Sequence, residues 1–126
     1  MKLEKTARFR FDAAHHLPDY DGKCKKVHGH TYFFEVCCAG SELDENGMLF
    51  DTEDLEEIVK ERILSKLDHS DLNETLENPT AENIAIWIYG QLKDSIKNER
   101  YQLKEIKVQE GEKSSVSYQE NEALTG

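Results

Sequence analysis

The chain has 126 residues, 33% of them charged and 37% hydrophobic, with a formal net charge of −10. That length builds one domain with a single modest core, so a deep private cleft is not expected and an elaborate site would be shallow or completed by a neighbouring subunit. The acidic excess, 26 Asp and Glu against 16 Lys and Arg, argues against a nucleic-acid partner, which needs a basic footprint. The absence of an apolar run of about 20 residues argues against a membrane span. The opening "MKLEKTARFRF" lacks the apolar stretch of a secretory signal, so the expected location is the cytoplasm.

From Lys5 to Ala14, Ala7, Phe9, Phe11 and Ala13 alternate with Arg8, Arg10 and Asp12, the period of a half-buried strand. After a loop, "HTYFFEVCCAG" reads as a second strand, and Cys37 and Cys38 on it point to opposite faces, as packing residues rather than a disulfide. "SELDENG" supplies turn chemistry and "MLF" a short third strand, completing an antiparallel meander.

Asp51 caps a helix carrying Leu55, Ile58, Val59, Ile63 and Leu67 at helical spacing. "DHSDLNETLENP" ends it, and Thr80, after Pro79, opens a second helix with Ile84, Trp87, Ile88, Leu92 and Ile96 on one stripe. "LKEIKVQEG" returns to alternation, which puts Glu110 on the face of Ile106 and Val108. The expected order is β-β-β-α-α-β, an α+β fold with both helices on one face of an antiparallel sheet. The domain is expected over residues 1–118, with a frayed tail over residues 119–126.

On a strand, His28 and His30 project the same way with Cα atoms about 7 Å apart, close enough for two imidazoles to share one ion. The end of the first strand lies beside the start of the second, so either His15 or His16 completes a three-histidine set with one coordination position open, the pattern of a catalytic zinc. Cys24 stands among Lys23, Lys25 and Lys26, cations that favour a thiolate. It serves as base, nucleophile or fourth zinc ligand. The three lysines would also attract a phosphorylated anion. Asp68-His69 offers a carboxylate that orients an imidazole for proton transfer. Glu110, by parity on an apolar face, either reaches water at the strand end or holds a ligand with paired N–H donors.

The segments "FDAAHHLP", "KCKKVHGHTY", "GMLFD", "LDHSDLN", "NPTAEN" and "VQEG", in that order from about Phe9 to Tyr118, resemble the 6-pyruvoyltetrahydropterin synthase family, especially its bacterial 6-carboxytetrahydropterin synthase branch of queuosine biosynthesis. The resemblance implies the tunnelling fold (T-fold), with subunits assembled into trimers or hexamers and sites between them. It implies zinc held by His15, His28 and His30, catalysis by Cys24, Asp68 and His69, a pterin anchored by Glu110, and Thr80 and Glu82 near the pterin pocket. The implied reaction converts 7,8-dihydroneopterin triphosphate to 6-carboxytetrahydropterin with loss of acetaldehyde and triphosphate, and in the pyruvoyl branch the side chain stays on. Three residues between Cys24 and His28 fit the carboxy branch. The position after the first ligand, usually arginine in that branch, is His16 here. His15, unlike His16, shares the face of Phe9, Phe11 and Ala13.

Overall fold

The computed structural model describes residues 2–16 and 28–120, His28 by its backbone alone. Strands β1 (Leu3–His15) and β2 (His28–Gly40) pair antiparallel along their whole length, with Phe11 opposite Tyr32 and His15 opposite His28. β4 (Tyr101–Glu110) runs antiparallel to β2 with Glu110 opposite Tyr32, and β5 (Ser114–Tyr118) closes that side. On the other side the two-residue β3 (Ser70–Asp71) lies parallel to β1. The sheet order is β3-β1-β2-β4-β5.

The alternation on β1 buries Phe11, Ala13 and His15, and that on β4 buries Ile106 and Val108. These side chains, with Tyr32, Phe34 and Val36, meet the helices in one continuous core. Helix α1 (Thr52–Val59) starts at Asp51, whose carboxylate accepts from the Glu53 N–H at 2.9 Å. It continues through a π-helical turn, Lys60–Leu64, into α2 (Ser65–Leu67). The cause lies in the core spacing: Leu55, Val59, Ile63 and Leu67, all buried, recur strictly every fourth residue. Each such step overshoots a turn of about 3.6 residues by about 40°. The slower winding of the π turn brings Leu67, and with it the following Asp68-His69, back into phase with the sheet. Helix α3 (Ala81–Leu92), capped by Thr80 through the Asn83 N–H, buries Ile84, Ile88 and Leu92 over β4 and β5.

The α+β architecture with two helical segments on one sheet face is as expected, but the element order is not. Met48–Phe50 is no strand. Its carbonyls are taken outside any strand pairing: the Asp44 N–H donates to Met48 O at 2.8 Å, Lys5 Nζ to Phe50 O at 2.7 Å, and Arg100 to Leu49 O at 3.1 Å. Asp44 folds the preceding chain into a turn by accepting from the Asn46 and Met48 N–H groups, with Gly47 at φ 81°. Leu49 and Phe50, 3% exposed, plug the core instead of pairing. β3 and β5 are the strands that sequence patterning did not yield. Of the expected tail, Glu120 pairs with Lys93 at 3.2 Å and Gln119 reaches Glu105 at 3.4 Å; residues 121–126 lie outside the described set.

Candidate metal and proton-transfer site

Strand register gathers four side chains at one end of the helix-covered face. Ala13 stands opposite His30, His15 opposite His28 and Tyr32 opposite Glu110, so His15, His30, Tyr32 and Glu110 all project inward. His15 is 2% exposed, and its Nδ1 lies 2.6 Å from the Tyr32 hydroxyl in a fully buried hydrogen bond. That bond fixes the ring, so a ligand would be met through Nε2. The His15 and His30 rings are 5.2 Å apart between centroids, and His30 Nε2 is 3.3 Å from Glu110 Oε1. One donor atom each from His15, His30 and Glu110 falls within 4.8 Å of the others, a spacing that one ion or one pair of N–H donors can span. Two imidazoles, one braced by a buried hydroxyl, are donors that suit zinc, and the carboxylate beside them can complete the set or accept from a ligand's N–H groups.

Of the two histidines ending β1, His15 turns inward. His16 instead belongs to the loop after β3: its backbone N–H donates to Asn73 Oδ1 at 3.0 Å, and Asn73 Nδ2 donates to its carbonyl at 3.1 Å.

The Asp68-His69 pair is built onto β1. The Asp12 N–H donates to Asp68 Oδ1 at 3.0 Å, and the His69 N–H donates to the Asp12 carbonyl at 2.6 Å. His69 holds φ 57°, a left-handed conformation that costs about 1–2 kcal/mol outside glycine and that these two bonds sustain. Its Nδ1 is 3.1 Å from Asp68 Oδ1, leaving a mostly exposed ring held at one nitrogen. Beside it, Asp12 accepts from Thr31 Oγ1 at 2.5 Å and faces Arg10 at 3.4 Å. The Thr31 hydrogen bond, with Arg10 assisting, holds the Asp12 carboxyl below the usual range. Sequence patterning gave Asp12 only as an outward strand residue; its proximity to His69 follows from the contact between β1 and a loop 56 residues away.

An open groove of about 550 Å³, lined by Asp12, Gly29, His30, Thr31, His69 and Ser70 among others, runs from His30 to His69. Thr80 and Glu82 do not line it, and the Thr80 hydroxyl is engaged as the α3 cap. Cys24, Lys23, Lys25, Lys26 and the His28 side chain lie outside the described residues. Cys37 and Cys38 are free and buried, as expected of packing residues. Burial raises both thiols, that of Cys38 to about 12.

A five-stranded sheet with helices on one face, carrying an inward histidine pair with a carboxylate at its end and an Asp-His pair across a shared groove, defines a T-fold domain with an enzyme-like site. The chain belongs to the 6-pyruvoyl tetrahydropterin synthase family, whose model matches residues 4–121. A 6-carboxy-5,6,7,8-tetrahydropterin synthase from Synechocystis sp. is 39% identical over 93 residues, 69% of this chain and 72% of its own. An Archaeoglobus fulgidus protein with a provisional form of the same name is 46% identical over 90 residues, 71% of this chain and 76% of its own. The 6-pyruvoyl tetrahydropterin synthase structure from Caenorhabditis elegans superposes with a TM-score of 0.84 at 25% identity, covering 96% of this chain and 97% of that one. No helix among the described residues is long and apolar enough to cross a membrane.

Proposed function

We propose that the protein is a zinc-dependent lyase of the 6-carboxytetrahydropterin synthase kind. It takes 7,8-dihydroneopterin triphosphate and water to 6-carboxy-5,6,7,8-tetrahydropterin, acetaldehyde and triphosphate, as a cytoplasmic step of queuosine biosynthesis. The observation that carries this reading is the inward meeting of His15, His30 and Glu110 within 4.8 Å, beside a groove that also reaches His69. The carboxy-synthase names of its relatives support the choice of product.

In this reading His15, His28 and His30 hold zinc, with Tyr32 bracing His15. Bound there, zinc would supply Lewis acidity to the hydroxylated side chain of the substrate. Glu110 receives the paired N–H groups of the pterin ring, a match of two donors to two carboxylate oxygens. His69, fixed at Nδ1 by Asp68, moves protons through its other ring nitrogen, because a carboxylate at one nitrogen both orients the imidazole and stabilises its cation. Cys24, made a thiolate by Lys23, Lys25 and Lys26, serves as the second proton-transfer group, and the lysines draw in the triphosphate. Thr80 and Glu82, which do not line the groove of the single chain, border the pterin pocket in this reading only where a neighbouring copy completes it. The groove is open on a single small domain, so a neighbouring copy in a trimer or hexamer closes it.

The second reading is a 6-pyruvoyltetrahydropterin synthase, favoured by the close superposition on the Caenorhabditis elegans structure of that name. Incubation of the zinc-loaded protein with 7,8-dihydroneopterin triphosphate decides between them. Acetaldehyde release supports the carboxy synthase, and triphosphate release without acetaldehyde supports the pyruvoyl one.

A further inference from the structure

The needs of the fold at Asp12 are met by its backbone. Its N–H holds Asp68 and its carbonyl holds His69, while its carboxylate stands on the helix-free face, 45% exposed. Yet that carboxylate is fixed, by the Thr31 hydroxyl on the neighbouring strand and by Arg10 two residues back. One carboxylate oxygen of Asp12, one of Asp68 and a ring nitrogen of His69 lie within 4.8 Å of each other. His69 is therefore flanked by two carboxylates, only one of which, Asp68, makes the short contact that orients the ring.

We propose that Asp12 is a positioning residue for proton transfer by His69: Asp68 sets the orientation of the imidazole, and Asp12, held by Thr31, supplies a second negative charge that favours its cationic form. The proposal rests on the reading above, in which His69 moves protons. At a separation of up to 4.8 Å the interaction is one of charge, or of one bridging water, rather than a direct hydrogen bond. Among the described residues, the groups facing the Asp12 carboxylate are Arg10 on its own strand, Thr31 on β2, and Asp68 and His69 from the loop after α2. His30 shares the groove. Arg10 opposes Asp12 in its effect on His69, because a cation disfavours a neighbouring imidazolium as a carboxylate favours it. The exposure of the ring makes both effects modest.

The test compares the zinc-loaded full chain with Asp12→Asn, Asp12→Glu and Arg10→Gln. Its first readout is NMR titration of the His69 ring C–H, which needs no turnover. Its second is the pH–rate profile with 7,8-dihydroneopterin triphosphate. Asp12→Asn keeps the size of the side chain and both backbone bonds; it should move the His69 titration to lower pH and lower kcat several-fold with KM little changed. Asp12→Glu should restore most of both, and Arg10→Gln, a surface change that leaves the fold intact, should move the titration to higher pH. A His69 titration that Asp12→Asn leaves in place, or that moves in the same direction in Asp12→Asn and Arg10→Gln, overturns the proposal. If the titrations move as expected but no variant, nor the parent protein, turns over the pterin, the charge relationship stands and the assignment of this reaction falls.

Discussion

The Tyr32 hydroxyl and His15 Nδ1 sit 2.6 Å apart, both side chains essentially sealed from solvent. This bond joins the core to the candidate metal site. Tyr32 stacks on Phe11 at 4.8 Å between ring centroids, so the aromatic core itself sets the angle of a proposed ligand.

Removal of that hydroxyl should be felt at the metal before it is felt in the fold. Tyr32→Phe keeps the stacking but removes the hydroxyl bonded to His15 Nδ1, and loss of an outer-shell hydrogen bond to a ligating histidine typically costs about 10–100-fold in metal affinity. Competition against a chelator of known affinity measures this. A zinc affinity in Tyr32→Phe equal to that of the parent would mean that His15 does not ligate, or that its orientation does not matter.

The cysteines should divide into one reactive and two inert thiols. Burial raises Cys37 and Cys38, the latter to about 12, so at pH 7–8 both remain thiols, whereas Cys24 has three lysines beside it in the sequence. Titration of the native protein with a thiol-specific chromogenic reagent at pH 7.5 should release one equivalent per chain rapidly, and Cys24→Ser should abolish it. Rapid reaction at two or three thiols would contradict the burial, and reaction at none would remove the reactive-thiol role of Cys24.

The turn that precedes Met48–Phe50 has its own pH signature. The Asp44 carboxyl is held below its ordinary value chiefly by the Met48 N–H, with the Asn46 N–H and the Arg100 charge adding to it. A carboxyl lowered in the folded state stabilises it above the unfolded pKa, and that contribution is lost as pH falls through the lower, folded value. Asp44→Asn should therefore be destabilised at pH 7, and its thermal midpoint should fall less steeply than the parent's as pH is lowered through about 4 toward 2. Parallel midpoint-versus-pH curves for the two proteins would show that the turn does not depend on the Asp44 charge.

How much of this molecule could be read from its sequence follows from which contacts are local. Parity along β1 and β4 needs only the alternation of neighbouring residues, and it placed His15 and Glu110 inward and His16 outward before any register was known. The caps at Asp51 and Thr80 are likewise local, each accepting from an N–H two or three residues ahead. The misread segment is the one whose backbone is satisfied from afar: the Phe50 carbonyl is served by Lys5, 45 residues away, and the Leu49 carbonyl by Arg100, 51 residues away. β5 was missed because Ser114, Ser115 and Ser117 weaken its pattern, although Val116 pairs with Val108. The place of Asp12 beside His69 required both the Asp12–Thr31 pairing and the docking of a distant loop, and no local signal carries either.

The measurement that bears most directly on the account is product analysis with 7,8-dihydroneopterin triphosphate, run on zinc-loaded protein beside His30→Ala and metal-free samples. The account predicts acetaldehyde and triphosphate in equal amounts with 6-carboxy-5,6,7,8-tetrahydropterin from the loaded protein, and at least a hundredfold less from the other two. Triphosphate without acetaldehyde, or equal product from the metal-free protein, would contradict it.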